Sequence, residues 1–390
     1  MDSYPEFIGL GFTARSHGYW AVERAKMAEN RVLGTLSRAR PGISYFVLST
    51  CSRLEAILGG PRDSLDGVFD AVRKTLKDHV SSEPSVYKGY GLVDHVLRVF
   101  SGMESPALFE IDVASQAKAS LRDSLSRGSV NKALYVFIRE AIDLSIDLRR
   151  SLGLDGSTGI PELSVMAVRE ALGDLDGLRI SIVGTGEVGR RVASYLKRLG
   201  LNSISIIGRS RTSAESLAKL LGLSSAYSLE ELGSVIGASD LLFLVTSSRE
   251  PIVGRHHIDG WEGVIVDLGM PRNMDPSLIP DLQGSYMWLE DLEILSTKIL
   301  ADLYSLLPKA EELLRIYSGR LQSIFTIERI REALRDYARL YEEIRRREID
   351  RAIEKLGLGE RDREILDLVT SSIMNKALGA LGSIVERGVW

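Results

Sequence analysis

Two spacings of apolar residues alternate along the first 150 residues of the chain. A stretch around residues 7–12 and the run ISYFVLST before Cys51 are typical of strands, and AVERAKMAENRVLGTL between them has helical spacing. Three further segments place apolar residues three and four apart: LVDHVLRVF, ASQAKASLRDSL and KALYVFIREAIDLSIDLRR. The pattern predicts a small α/β domain over residues 1–150, with the later helices packed on its sheet.

Short apolar runs dominate the middle of the chain. They are LRISIVG, SISIIG, DLLFLVT and GVIVDLG, and helical segments separate them. Such nearly continuous hydrophobicity is typical of parallel strands that are covered on both faces. A turn-rich segment at 153–162, GLDGSTGIPE, precedes them and predicts a domain boundary. We therefore predict a second α/β domain over residues 160–288.

The last hundred residues have a different pattern. From about Leu289 to Gly357 glycine and proline are scarce, and Glu, Arg, Leu and Ile recur at helical spacing. This predicts long helices over residues 289–390. Heptad-like apolar positions on such helices usually meet a partner, so we expect a homodimer through this region.

Composition narrows the class of protein. A hydrophobic content of 44% with 26% charged residues is close to the globular average. No run approaches the roughly 20 apolar residues that span a bilayer, and the first residues lack a basic and then apolar leader, so we expect a cytoplasmic protein without a membrane anchor. With one cysteine and five scattered histidines we expect no internal disulfide and no bound metal. The net charge of −4 means that any RNA contact must use a local basic patch.

A glycine-rich turn follows the strand RISIV and opens the helix EVGRRVASYLKRL. It contains Gly184, Gly186 and Gly189, with Glu187 and Val188 at the helix start. The first glycine allows a tight turn, the second lets a pyrophosphate approach the backbone, and the third brings the helix against the strand. We predict a dinucleotide site at these five residues, the alternative being a glycine-rich turn without a ligand.

The residues after the next strand favour the phosphorylated cofactor. An NAD enzyme places an acidic residue here, but the segment from Leu201 to Arg211 contains neither Asp nor Glu. Arg209, Ser210 and Arg211 stand there instead, and two guanidiniums beside a hydroxyl suit the extra phosphate of NADPH. The alternative is that both arginines only solvate a surface loop.

Cys51 ends the predicted strand YFVLST, in the sequence STCSRLE. A solitary cysteine is more often a small buried hydrophobe than a nucleophile. Here hydroxyl groups flank it on both sides, Arg53 follows two residues later and Glu55 four residues later, which is an unusual neighbourhood for a core position. The surroundings favour a reactive thiol.

The segment STCSRLE resembles the Ser-Thr-Cys-Asn-Arg-Thr-Glu signature of glutamyl-tRNA reductases. The sequence HVLRVFSGMES at 95–105 is similar to the family's His-Leu-Phe-Arg-Val-Ala-Ser-Gly-Leu-Asp-Ser, and Glu110 and Gln116 fall where the family has Glu and Gln in Gly-Glu-Pro-Gln-Ile-Leu-Gly-Gln-Val. Similar segments follow in the same order, namely GTGEVG, GRS at 208–210, VDLGMPRNMDP and WLEDLE. The resemblance covers most of the chain.

This resemblance implies an α/β plus α fold: an N-terminal α/β catalytic domain, a Rossmann-type NADP-binding domain and a long C-terminal helical dimerisation domain. It also implies that the Cys51 thiolate attacks glutamyl-tRNA, and that NADPH reduces the resulting thioester to glutamate-1-semialdehyde, the first step of C5-pathway tetrapyrrole (porphyrin and haem) biosynthesis. A glutamate-1-semialdehyde aminomutase is the partner that the family suggests.

The resemblance assigns roles to individual residues. His95 would polarise the ester or move a proton, although a structural histidine on an amphipathic helix is equally compatible with the sequence. Arg53 would hold the carboxylate of glutamate, and Glu55 would orient Arg53. The other predicted substrate-binding residues are Thr50, Ser105, Glu110 and Gln116.

Departures from the family pattern surround the expected glutamate pocket. Ser52 replaces the usual Asn, Pro106 and Phe109 interrupt a Ser-Met-Val-Leu-Gly-Glu run, and TARSHG replaces Asn-His-Lys-Thr-Ala-Pro, with Arg15 in the place of the lysine. Two other functions remain open at this stage. One is an NADP-dependent dehydrogenase of a small carbonyl compound with a structural Cys51; the other is a non-catalytic homologue that acts as a binding or scaffold protein.

Overall fold

The computed structural model describes residues 6–39, 42–154, 159–223 and 225–388. Its first part contains a four-stranded antiparallel sheet with the order β2-β3-β1-β4. The strands are β1 (Glu6–Thr13), β2 (Ser44–Thr50), β3 (Arg53–Gly60) and β4 (Ser85–Lys88). Thr50 pairs with Arg53 across the β2–β3 hairpin, so Cys51 and Ser52 form its two-residue turn.

Helices cover both faces of this sheet. They are α1 (Ala14–Met27), α2 (Glu29–Ser37), α3 (Arg62–Lys77), α4 (Gly89–Phe100), α5 (Asp112–Ser126) and α6 (Lys132–Ser151). Successive side chains of a strand point to opposite faces, and here Leu10 and Phe12 join the core that includes Val22 of α1. Phe46 of β2 and Leu97 of α4 belong to the core on the other face. The predicted α/β arrangement is therefore confirmed.

The middle part is a six-stranded parallel sheet with the order β10-β9-β8-β5-β6-β7. Its strands are β5 (Ile180–Val183), β6 (Ile204–Gly208), β7 (Ser225–Ser228), β8 (Leu241–Leu244), β9 (Val264–Asp267) and β10 (Ser285–Trp288). The strand order reverses between β5 and β8, and ligands of such sheets bind beside the carboxyl ends of the strands at this point. The predicted glycine turn lies there.

Helices flank the parallel sheet. They are α7 (Ile160–Leu172), α8 (Glu187–Arg198), α9 (Arg211–Leu221), α10 (Leu232–Gly237), α11 (Arg255–Ile258) and α12 (Leu289–Ile299), with short 3-10 turns at Leu229–Glu231 and Pro276–Asp281. α12 packs on α7, so the first helix after the parallel sheet belongs to its surroundings. Of the segment predicted as a domain boundary, residues 155–158 lie outside the described residues.

Long helices complete the chain, as the sequence predicts. After the short α13 (Ala301–Tyr304), α14 (Leu307–Leu356) runs for 50 residues and α15 (Glu360–Gly388) for 29. Gly357 ends α14 with φ 62°, a left-handed conformation that favours glycine. The start of α14 packs on α4 and α6, where Ala310 and Leu314 are fully buried. None of the described helices is long and apolar enough to cross a membrane.

The far half of α14 and α15 form an antiparallel pair. Arg345 of α14 bonds to Asp367 of α15 at 2.5 Å, and Arg363 of α15 bonds to Asp350 of α14 at 2.7 Å. Large apolar side chains stay exposed on α15, among them Leu368, which is 72% exposed. A row of exposed apolar residues on a helix pair is the kind of surface that a partner covers.

Candidate functional site

Cys51 lies in the turn between β2 and β3 and is partly buried. The pKa of its thiol is raised to about 12, chiefly by burial and also by the nearby Glu110 carboxylate, whereas Lys26 and Arg53 act in the opposite direction. The thiol is therefore mostly protonated at neutral pH in this structure. Any reaction that needs the thiolate depends on the cations beside the turn.

A buried chain of charged groups stands next to this turn. Arg53 is fully buried; its Nη1 donates to Glu55 Oε2 at 3.3 Å and its Nη2 donates to the carbonyl oxygen of Glu104 at 2.7 Å. The other oxygen of Glu55 accepts from His95 Nε2 at 2.6 Å. His95 stacks on Tyr87, with ring centroids 3.6 Å apart and planes 7° apart. Glu55, rather than Cys51, thus receives the hydrogen bond of His95.

The charge on Glu55 follows from its partners. Burial by itself would raise the pKa of the Glu55 carboxyl, but His95 and Arg53 outweigh burial and hold the pKa below its usual range. Glu55 therefore stays ionised between the Arg53 guanidinium and the His95 ring. This geometry agrees with the sequence-based expectation that Glu55 orients Arg53.

Thr50 and Lys26 shape the turn itself. Thr50 Oγ1 accepts a hydrogen bond from the backbone N–H of Ser52 at 3.2 Å, and Lys26 Nζ donates to the Thr50 carbonyl oxygen at 2.8 Å. Sequence reasoning missed Lys26, because it occupies an ordinary-looking position in the α1 segment, 25 residues before Cys51. Only the packing of α1 on the sheet reveals it.

The loop between α4 and α5 supplies further predicted residues. Ser105 is buried, and its Oγ has no hydrogen-bond partner among the described residues. Glu110 is also buried; burial, followed by the neighbouring Asp112, raises its pKa to about 8. Its Oε1 accepts from the backbone N–H of Ile160 at 3.4 Å. Gln116 is exposed on α5 and takes no part in these contacts.

Phe109 has an unusual backbone conformation in this loop. It has φ 60°, which an L side chain adopts at a cost of roughly 1–2 kcal/mol, while its ring is buried. The family motif has glycine at this place, which is free to take that conformation. Burial of the phenyl ring, at roughly 1.5–3 kcal/mol, offsets the strain.

The predicted dinucleotide turn has the required geometry. A Cβ atom on Gly184 would come within 2.7 Å of the Val245 carbonyl oxygen, and one on Gly189 within 2.0 Å of the Gly184 carbonyl oxygen. Gly186 has no described atom within 4 Å of its ideal Cβ position. α8 begins at Glu187, so its first N–H groups face this open space. The chain thus fits a pyrophosphate here.

Arg209 and Arg211, the two arginines predicted to bind the cofactor phosphate, have different surroundings in the structure. Arg211 pairs with Glu215 at 3.3 Å and with Glu231 at 3.1 Å. Ser210 caps α9 by accepting a backbone hydrogen bond. Arg209 is exposed and has no ion pair within the described ranges. Arg209 is therefore the cation that is available to a phosphate.

An ion pair connects the first part to the parallel-sheet part. Arg272 contacts both oxygens of Glu23, and its Nη2 lies 2.8 Å from Oε2. The guanidinium lies between two indole rings, 4.3 Å from the centroid of Trp288 and 5.4 Å from that of Trp20. A second connection joins Arg191 of α8 to Asp112 of α5. Sequence reasoning missed both connections, because each joins residues far apart in the chain.

Three family models match successive parts of the chain. "Glutamyl-tRNAGlu reductase, N-terminal domain" matches residues 10–151, which include Cys51. "Shikimate / quinate 5-dehydrogenase" matches residues 166–294, and "Glutamyl-tRNAGlu reductase, dimerisation domain" matches residues 309–381. The middle match supports a nicotinamide cofactor. The two outer matches favour the reductase over a simple dehydrogenase.

Individual relatives agree with these models. A protein named glutamyl-tRNA reductase from Synechococcus sp. (strain RCC307) is 25% identical over 95% of this chain and 89% of the relative. One with the same name from Haloquadratum walsbyi is 27% identical over 94% of this chain and 82% of the relative. The solved structure of glutamyl-tRNA reductase from Methanopyrus kandleri is 22% identical and has a TM-score of 0.51, covering 97% of this chain and 98% of that one.

Proposed function

Because the chain belongs to the glutamyl-tRNA reductase family, we propose that it reduces the glutamyl group of glutamyl-tRNA to glutamate-1-semialdehyde, the entry to tetrapyrrole biosynthesis. The observation that carries this proposal is the position of Cys51. It stands in a turn beside a buried Arg–Glu–His chain, in the N-terminal part that Glu23 and Arg272 connect to the dinucleotide domain.

The proposed reaction has two steps. The Cys51 sulfur, as thiolate, forms a bond to the carbonyl carbon of the aminoacyl ester, the ester C–O bond breaks, and the tRNA 3′ oxygen leaves with a proton from solvent. A bound nicotinamide cofactor supplies the hydride that the thioester carbon then accepts. The C–S bond breaks and Cys51 regains its thiolate.

The surrounding residues have supporting roles in this proposal. Arg53, which is fully buried beside the turn, supplies a permanent positive charge for the carboxylate of glutamate. Ser105 offers a buried hydroxyl to which no described residue bonds, and Thr50 and Glu110 border the same turn and loop. His95 acts through Glu55 and Arg53 as a positioning residue. A role for the exposed Gln116 rests on the family resemblance alone.

We further propose NADPH as the cofactor, since Arg209 follows β6 and forms no ion pair with a described residue, and the acidic residue of an NAD site is lacking from the segment 201–211. Exposed apolar residues on α15 support a homodimer as the working form. A glutamate-1-semialdehyde aminomutase is the partner that the family resemblance suggests.

Mass spectrometry of the Cys51 peptide tests the proposal. The protein is mixed with glutamyl-tRNA without NADPH, and we expect free tRNA together with one glutamyl group on Cys51. Cys51→Ser should lose both the adduct and the reductase activity, because a serine hydroxyl is a poor nucleophile without a dedicated base. Reductase activity in Cys51→Ser, or NADPH oxidation without aminoacyl-tRNA, would contradict the covalent mechanism.

A further inference from the structure

Lys26 is a partly buried cation beside the Cys51 turn. Its Nζ donates to the Thr50 carbonyl oxygen at 2.8 Å, and Cys51 is the next residue. Across the described part of the chain, no carboxylate oxygen lies within the 4.0 Å of an ion pair with Lys26. Glu29, whose charge acts on Lys26, accepts a hydrogen bond from Ser49 Oγ at 3.0 Å.

An ammonium group without a counter-charge is costly to bury. Burial indeed lowers the pKa of Lys26, while the charges of Cys51 and Glu29 act to raise it. The chain keeps this cation at a position where a hydroxyl or an amide could also bind the Thr50 carbonyl oxygen. A function that needs the charge itself would explain its place.

The groups that face Cys51 come from several elements. Tyr19 and Lys26 belong to α1, Arg53 to β3, and Glu110 to the loop before α5. Tyr19 is neutral, since burial raises the pKa of its hydroxyl far above the usual range, and Glu110 opposes ionisation of the thiol. Arg53 forms an ion pair with Glu55 at 3.3 Å. Of these two cations, Lys26 is therefore the one that forms no ion pair with a described carboxylate.

We propose that Lys26 is the cationic partner of the Cys51 thiolate and determines how much of the thiol is ionised when the ester arrives. Lys26 keeps its proton throughout, and the proton of the thiol goes to solvent before the sulfur attacks. It is a positioning residue for charge, acting on the nucleophile rather than on the substrate. The inference rests on the proposed function only in taking Cys51 as the nucleophile.

Alkylation of Cys51 by iodoacetamide measures the thiolate without any substrate. The chain contains one cysteine, so the label reports on Cys51 alone. Lys26→Gln keeps a donor for the Thr50 carbonyl oxygen but removes the charge, and Lys26→Arg keeps the charge. An opposite charge at close range changes a pKa by roughly 1–3 units, so Lys26→Gln should slow alkylation at pH 8 by at least about tenfold. Lys26→Arg should stay within about threefold of wild type, on the same reasoning.

The alkylation rate should also rise with pH over a range shifted upward in Lys26→Gln, which a purely structural role for Lys26 would not produce. An unchanged rate and pH profile in a Lys26→Gln protein with the melting temperature of wild type would overturn the proposal. An equal loss of alkylation rate in Lys26→Gln and Lys26→Arg would also overturn it, because the rate would then depend on the shape of the side chain and not on its charge.

A second variant covers the case in which Lys26→Gln does not fold. Lys26→Met fills similar space with an uncharged side chain and should also slow alkylation of Cys51 at pH 8 by at least about tenfold. A Lys26→Met rate within about threefold of wild type would overturn the proposal.

The glutamyl-adduct experiment separates this inference from the proposed function. If charge at position 26 controls alkylation but glutamyl-tRNA leaves no adduct, the inference stands and the covalent mechanism fails. If the adduct forms at the same rate in wild type and Lys26→Gln, the covalent mechanism stands and the inference fails.

Discussion

Glu55 Oε1 lies 2.6 Å from His95 Nε2, while the other oxygen of the same carboxylate lies 3.3 Å from Arg53 Nη1. One buried carboxylate thus bonds to two side chains, and the Cys51 turn begins two residues before Arg53 on the same hairpin. Through this carboxylate, the position of His95 on α4 is linked to the position of the turn. Removing the carboxylate should therefore affect both stability and the site.

Glu55→Ala should destabilise the protein strongly. Breaking a buried ion pair from one side leaves an uncompensated charge, here that of Arg53, and costs about 3–5 kcal/mol. Urea unfolding followed by circular dichroism measures the loss. Glu83→Ala is the matched control, because Glu83 also joins two cations, Arg73 and Lys77, but at an exposed place. A similar midpoint for both variants would show that burial does not matter here.

Glu110 should make the protein less stable as the pH rises. Burial and Asp112 raise its pKa to about 8, above the ordinary value of a glutamate. The folded state then binds a proton that the unfolded state has released, so stability falls between about pH 4.5 and pH 8. Glu110→Gln should be more stable than wild type at pH 8 and equal to it at pH 4. Denaturant midpoints at pH 4, 6 and 8 measure this, and parallel profiles would exclude the effect.

Arg209→Ala should weaken NADPH much more than NADH. A charge-assisted hydrogen bond contributes about 1.5–3 kcal/mol, so we expect a loss of roughly tenfold to a hundredfold in NADPH affinity. Fluorescence titration with both cofactors measures it. Arg211→Ala is the control, since Arg211 already pairs with Glu215 and Glu231. Equal losses for NADPH and NADH in Arg209→Ala would place the 2′-phosphate elsewhere.

Gly186→Ala and Gly189→Ala should fail in different ways. Gly186 has φ −73° and open space at its Cβ position, so alanine fits the fold, but its methyl group occupies the approach of a pyrophosphate. At Gly189 a Cβ atom would stand 2.0 Å from the Gly184 carbonyl oxygen. We expect wild-type melting with lost cofactor binding for Gly186→Ala, and a lower melting temperature for Gly189→Ala. Cofactor binding unaffected in Gly186→Ala would argue against this turn as the phosphate site.

Glu23→Gln should separate the two half-reactions. The change weakens the contact with Arg272 that joins the catalytic part to the dinucleotide part. Thioester formation on Cys51 needs only the first part and should continue, whereas hydride transfer needs both and should slow by roughly 10–100-fold. Arg255→Gln, which breaks an exposed pair with Asp281, is the control. Quenched-flow measurement of free tRNA and of aldehyde distinguishes the steps, and equal slowing of both would contradict the idea.

Local sequence predicted the elements whose pattern is strong. β2 before Cys51, the apolar strands of the parallel sheet and the long α14 all follow from periodicity and from scarce glycine and proline. β7, with the sequence SAYS, and β10, with SYMW, were not predicted, because four residues of mixed polarity carry no clear period. Their place in the sheet depends on neighbours that the local sequence does not identify.

The site divides in the same way. Cys51 and Gly186 could be predicted from short motifs, because the residues that make up each of these turns are consecutive in the chain. Lys26 and the pair of Glu23 with Arg272 could not be predicted, since 24 and 249 residues separate the partners in the two contacts. Only the packing of α1 against the hairpin and against the second domain brings them together.

The length of α14 determines how far the α14–α15 pair lies from the part of α14 that packs on the N-terminal domain. Leu321 is fully buried, and Arg345, which holds α15, follows 24 residues later on the same helix. At 1.5 Å per residue the two points are roughly 36 Å apart along the axis. The outer helix pair therefore extends well beyond the part of α14 that packs on α4 and α6, and none of its described side chains is among the groups that contact the Cys51 turn. Substitutions that change the contact between two copies of the chain at this helix pair can therefore accumulate without altering the surroundings of Cys51. Substitutions around Cys51 can likewise accumulate without altering that contact.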